Sequence, residues 1–138
     1  MSHTVRVKQV QLSDLSILKA VVDRLPDADF VKPNGDIVNS PDEAIGEFHF
    51  YSGSANGIGI KLPGWQYPVV VDPQTGHYSF DNFNGRWGDQ DKIDQLVQEY
   101  SMDKLTAEAL AANARMAKQE MLENGDVEIT FCKLETGY

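Results

Sequence analysis

Four stretches between Glu47 and Phe80 carry strand signatures, and turn chemistry separates them. In Glu47–Tyr51, Phe48 and Phe50 share one face while Glu47, His49 and Tyr51 share the other, the two-residue period of a half-buried strand. Gly57–Leu62 alternates Ile58, Ile60 and Leu62 with Gly59 and Lys61. Tyr67–Val71 ends in three consecutive valines, a β-branched run suited to a sheet centre. Asp72-Pro73-Gln74-Thr75-Gly76 is a turn with a mechanism, because Asp initiates, Pro fixes φ and Gly supplies the left-handed position. Residues 77–80 return as the paired strand, and Asn56-Gly57 has the chemistry of a hairpin turn. Residues 47–80 are therefore predicted to form an antiparallel meander.

The flanking segments add helices and outer strands. Val5, Val7 and Val10 lie among polar neighbours and predict a strand over residues 4–10. Ser13 or Asp14 can cap a helix whose stripe is Leu15, Leu18, Val22 and Leu25, and Pro26 ends it, giving a helix over 14–25. Residues 26–45 are rich in turn punctuation, with short β pieces at Asp29–Lys32 and Ile37-Val38 around an Asn34-Gly35 turn. Asp89–Glu123 is the longest helical stretch, stopped by Asn124-Gly125; its two apolar stripes lie far apart around the axis, so the helix either breaks near Ser101 or is buried on two sides. Val127, Ile129 and Phe131 alternate as a last strand. The expected order is β-α-β-β-β-β-α-β in a single domain, residues 1–138. Its class is α+β: one layer of mostly antiparallel sheet with helices packed on one face. First and last strands can lie together near the middle of that sheet.

Charge and composition narrow the function classes. The 138 residues are 41% hydrophobic and 24% charged, ordinary for a globular protein. Acidic residues outnumber Lys and Arg by 21 to 12, a formal net charge of -9. That argues against nucleic acid as the main partner, since phosphate needs a basic surface. The one basic stretch available to such a partner is Arg6, Lys8, Lys19 and Arg24. No apolar run is long enough to span a bilayer. The opening Met-Ser-His-Thr-Val-Arg is neither a signal peptide nor a transit peptide, so the expected location is cytoplasmic. A single cysteine, Cys132, excludes an internal disulfide and a multi-cysteine metal site.

Catalytic and metal constellations find no support in the residue spacing. His3, His49 and His77 lack ligand spacing, although His49 and His77 could face each other across the strands. The Gly-rich piece after Gly53 lacks the Lys-Ser/Thr of a phosphate loop and precedes a strand rather than a helix. Ser52 and Ser54 lie outside any nucleophile elbow. Cys132, beside Phe131, has the setting of a buried, inert thiol. No cofactor is implied.

Two surfaces stand out instead. Trp65 and Tyr67 follow Pro63-Gly64, and Arg86 and Trp87 sit with Phe83 in a Gly- and Asn-rich loop. Trp, Tyr and Arg dominate interface hot spots, and loops held by a sheet carry function. Equally, two tryptophans here could close the end of a core, because their burial stabilises strongly. The second surface is the helical stripe Met102, Leu105, Ala109, Ala112 and Met116, far around the helix from Ile93, Leu96, Val97 and Tyr100. If exposed, such a Met-rich face suits a second copy of the chain and a homodimer. The expected function is a non-enzymatic binding or accessory protein acting by protein–protein contact. The alternative is a small-ligand binder or enzyme with a pocket at the 63–88 loops.

The order of several pieces resembles a known family. Leu12-Ser13-Asp14-Leu15-Ser16-Ile17-Leu18-Lys19 follows the first strand. Gly57-Ile58-Gly59-Ile60, Tyr67-Pro68-Val69-Val70-Val71-Asp72, Trp87-Gly88 and Leu96-Val97-Gln98-Glu99-Tyr100-Ser101-Met102 follow in turn. This arrangement is similar to the Ycf35 family of cyanobacteria, algal plastids and cyanophages. The likeness covers nearly the whole chain except 26–45, which departs from it as an extended insert. It implies a small soluble protein of a photosynthetic setting and carries no reaction, cofactor or catalytic residue.

Overall fold

Hydrogen-bonded strand pairing sorts the chain into two antiparallel sheets. The computed structural model describes residues 2–7, 10–111, 114–121 and 127–133. Its elements are β1 (Ser2–Val7), α1 (Leu15–Arg24), β2 (Asp29–Val31), β3 (Ile37–Val38), β4 (Ile45–Phe50), β5 (Gly53–Lys61), β6 (Val69–Val71) and β7 (Tyr78–Ser79). After these come α2 (Gln90–Ala111), β8 (Ala114–Met121) and β9 (Val127–Lys133). The class is α+β. The strands form two hydrogen-bonded sheets: a three-stranded sheet runs β1-β9-β8, and a six-stranded sheet runs β3-β2-β5-β6-β7 with β4 also on β5. The chain divides into two compact units, residues 1–10 with 98–138, and residues 11–97.

In the first unit the first and last strands pair as expected, but in a sheet of their own with β8, where β1 is an edge strand, and not near the middle of the larger sheet. The register sets Val5 opposite Ile129 and Val7 opposite Val127. The third strand replaces a predicted helix. Residues 114–121 were expected to continue the long helix to Glu123, since Ala, Met, Lys, Gln and Glu are good helix formers. Here α2 stops at Ala111 and Ala114–Met121 pairs with β9, with an irregularity between Met116 and Lys118. The ladder supplied by β9 outweighs a local propensity worth only tenths of a kcal/mol per residue.

In the second unit local signals survive well. Asp14 caps α1, its carboxylate accepting from the Ile17 amide at 3.3 Å. Leu18, Val21 and Val22 are the helix residues that become buried. Asn34-Gly35 turns β2 into β3, with Gly35 at φ 94°. The Asp72–Gly76 turn forms as read: Asp72 donates its amide to the His77 carbonyl at 2.8 Å, and Gly76 donates to the Asp72 carbonyl at 2.7 Å.

One turn is misplaced by the sequence. Asn56-Gly57 lies within β5, Asn56 opposite Glu47 and Gly57 opposite Gly46. The hairpin reverses at Tyr51-Ser52, since Phe50 pairs with Gly53. Gly57 is needed in the strand, because a Cβ there would stand 2.2 Å from the Val71 carbonyl oxygen.

The register also sorts the sheet's two faces. Phe30, Ile58, Ile60, Val69 and Val71 share one face and are fully buried. The opposite face carries Val31, Phe48 and Val70, with Phe50 and Ala55 packed against them. Phe48 reaches across the strand into the space where Gly59 has no side chain; a Cβ there would stand 2.3 Å from its ring. Phe50 on this second face meets the Tyr67 ring, which links it to the candidate site.

Candidate functional site

Three segments of the second unit meet beside the β4–β5 hairpin tip: Tyr51-Ser52, the loop 62–68 and the loop 80–89. Ser52 donates twice to one carboxylate oxygen of Asp81, from its amide at 3.1 Å and its hydroxyl at 2.8 Å. Gln66 donates its amide to the Trp87 carbonyl at 2.7 Å, joining the two loops. Within the second loop, Trp87 and Gly85 donate their amides to the Asn82 carbonyl. Phe83 and Asn84 hold φ of 45° and 55°, followed by Gly85 at 92°. Two non-glycine residues in the left-handed region are costly, and such strain concentrates at functional sites.

That backbone presents a connected set of rings. Trp87 contacts Phe83 in a stacked pair at 4.7 Å, and Tyr51 and Tyr67 edge-on at 5.6 and 5.8 Å. Tyr67 in turn meets Phe50 at 6.1 Å. The Arg86 guanidinium lies 5.3 Å from the centre of the Phe83 ring, within cation–π range. Tyr51 is 78% exposed and Phe83 is 45% exposed. Arg86 is exposed, and Trp87 and Tyr67 are half-buried. The result is an aromatic surface with one cation at its edge.

The four residues singled out in these loops separate into two kinds. Tyr67, Arg86 and Trp87 come together on this surface. Trp65 does not: it is 3% exposed. Its indole Nε1 donates to the Asp89 carbonyl at 3.1 Å, and its ring meets Phe80 edge-on at 5.6 Å. It lies flat against Gly88, where a Cβ would fall 2.3 Å from the ring. Trp65 is therefore a core residue that fastens its loop to the start of α2. Phe83, named with the loop but not among those four, joins them, and so does Tyr51, whose alternation predicts a strand position and which the hairpin register instead exposes at the turn.

The expected helical stripe is not continuous. Met102, Leu105 and Ala109 lie on α2, Met116 lies on β8, and Ala112 falls outside the described residues. Of the three on α2, Ala109 is buried, Leu105 half-buried and Met102 39% exposed. His49 and His77 do not face each other, because β5 and β6 stand between their segments. His49 Nε2 lies 3.2 Å from the Glu47 carboxylate instead.

Among the described residues no three His, Cys, Asp or Glu side chains group as a metal site. No helix among them is long and apolar enough to cross a membrane. Tyr78, half-buried and stacked on Phe80, has its pKa pushed up by burial and, to a lesser degree, by the Asp94 carboxylate. No family model matches the chain, and no curated protein and no solved structure does.

Proposed function

We propose that this protein is a non-enzymatic binding protein that docks a protein partner on the surface formed by Tyr51, Tyr67, Phe83, Arg86 and Trp87. The observation that carries the reading is the contact of Trp87 with three other rings at a site where Tyr51 and Phe83 remain exposed. Surfaces of this composition supply interface anchors, because large rigid rings gain much contact area for little lost rotamer freedom. The strained, hydrogen-bonded loop beneath them holds the rings in place before a partner arrives, which lowers the ordering cost of binding. The setting that accompanies this proposal is a cyanobacterial cell, a phage-infected host or a plastid stroma, and it rests on the Ycf35-like order of sequence pieces.

The test is affinity capture from cyanobacterial cells with the wild-type chain and two variants, followed by titration of each captured protein in purified form. A partner whose affinity falls by about thirtyfold with Trp87→Ala, and is unchanged by Lys19→Ala on α1, supports the reading. Captured proteins that bind Trp87→Ala as tightly as wild type overturn it. So does turnover of a defined substrate that is lost on changing one polar residue.

A further inference from the structure

Beside the aromatic surface, on the face of the sheet that carries Phe48, lies a groove of about 280 Å³. Its apolar lining comes from Val31 and Phe48, both buried, with Pro33 and Pro68. Its polar lining includes Lys32 and Lys61, with Gln66 and Tyr67. No Asp or Glu lines it, although acidic residues outnumber Lys and Arg by 21 to 12 in the whole chain. The formal charges that line the groove are thus those of two lysines, with Glu47 and Asp36 one contact behind His49 and Asn34.

The two lysines are uncommitted. Among the described residues neither Lys32 nor Lys61 forms an ion pair, whereas Lys19 pairs with Asp23. Asp29 stands opposite Lys61 across β2 and β5, yet no ion pair joins them. Two other polar groups at the groove are already engaged: His49 with Glu47, and the Asn34 side chain with Asp36 at 3.2 Å. Gln66 spends its backbone amide on Trp87, which fixes the wall and leaves its side-chain amide available.

We infer that this groove binds a small organic anion: a carboxylate or phosphate head between Lys32 and Lys61, on an apolar body that lies over Val31 and Phe48. Ammonium groups recognise either head as point charges, and a partly enclosed, apolar floor strengthens that attraction relative to open water. The volume falls just under the roughly 300–1,000 Å³ of drug-sized sites, so the body is a single ring or a short chain. Trp87 and Arg86 do not line the groove, so this site stands apart from the proposed docking surface and shares only Tyr67 with it.

Amide chemical-shift titration of the full chain with phenylacetate, phenyl phosphate and benzyl alcohol tests this. At concentrations up to about 10 mM, the range for ligands this small, at least one anion is expected to move the amides of Lys32, Gly35, Lys61, Gln66 and Tyr67 saturably. Whichever anion binds identifies the head group. Lys32→Gln and Lys61→Gln are each expected to weaken it about tenfold, while Lys19→Gln leaves it unchanged. Both lysines are exposed, and an unaltered spectrum away from the groove certifies the fold of each variant. The inference is overturned if neither anion binds, if benzyl alcohol binds as tightly, if both lysine variants bind like wild type, or if the shifts centre on residues 83–87. The last result would place the ligand on the aromatic surface, so loss of one reading does not carry the other with it.

Discussion

At the scale of single residues, environment rather than residue type sets the role. Trp65 and Trp87 sit in similar Gly-containing loops, yet one is sealed against Gly88 and the other is half-buried among surface rings. Tyr78 shows the same dependence in its ionisation. Burial, with Asp94 adding to it, raises its pKa above the ordinary value of 10.0. The folded chain therefore keeps a proton that the unfolded chain releases, so stability is unaffected by this group below about pH 10 and falls as pH rises beyond it. Tyr78→Phe removes that ionisation and is expected to flatten the decline. Urea midpoints of both proteins at about pH 8, 10 and 11 measure it. Parallel curves would refute the assignment.

At the scale of elements, the loops are positioned by contacts that are distant in sequence. The Trp65 ring bridges its own loop, Phe80 and the carbonyl that precedes α2. Gly88→Ala places a methyl group into that ring, and overpacking of this kind costs about 1–3 kcal/mol. The expected outcome is a lower urea midpoint with an unchanged slope; a midpoint within error of wild type would show that Trp65 can shift at little cost. Much of the element map is legible in sequence for local reasons. Asp14 can reach the Ile17 amide from its own neighbourhood, and Asn34-Gly35 or Asp72–Gly76 turn the chain through their own dihedral preferences. The Tyr51-Ser52 reversal was not legible, because Asp81, 29 residues from Ser52, holds it.

At the scale of the whole molecule, β1 and β9 close the chain's described ends on each other across six register pairs. Without β1, β8 and β9 would be a lone hairpin, and isolated two-stranded hairpins are marginal in water. Deleting Ser2–Val7 is expected to abolish hydrogen-exchange protection of Val127–Lys133 while Val69–Val71, an interior strand of the other sheet, stay protected. Uniform loss across both sheets would show that the two units unfold together, and retained protection in β9 would show that β1 contributes little.

Near neighbours alone settle strand alternation at both ends and through the central meander, the capped helix ending before Pro26, and the turns at Asn34-Gly35 and Asp72–Gly76. Residues a few positions apart settle these through sterics, capping and side-chain period. The remaining features depend on partners distant in the chain. Ala114–Met121 has a helix former's composition and became a strand because Val127–Lys133 offers it a ladder. Tyr51, Phe83 and Trp87 became one surface, and Lys32 and Lys61 one groove, because hydrogen bonds and pleat register bring together segments that nothing local connects.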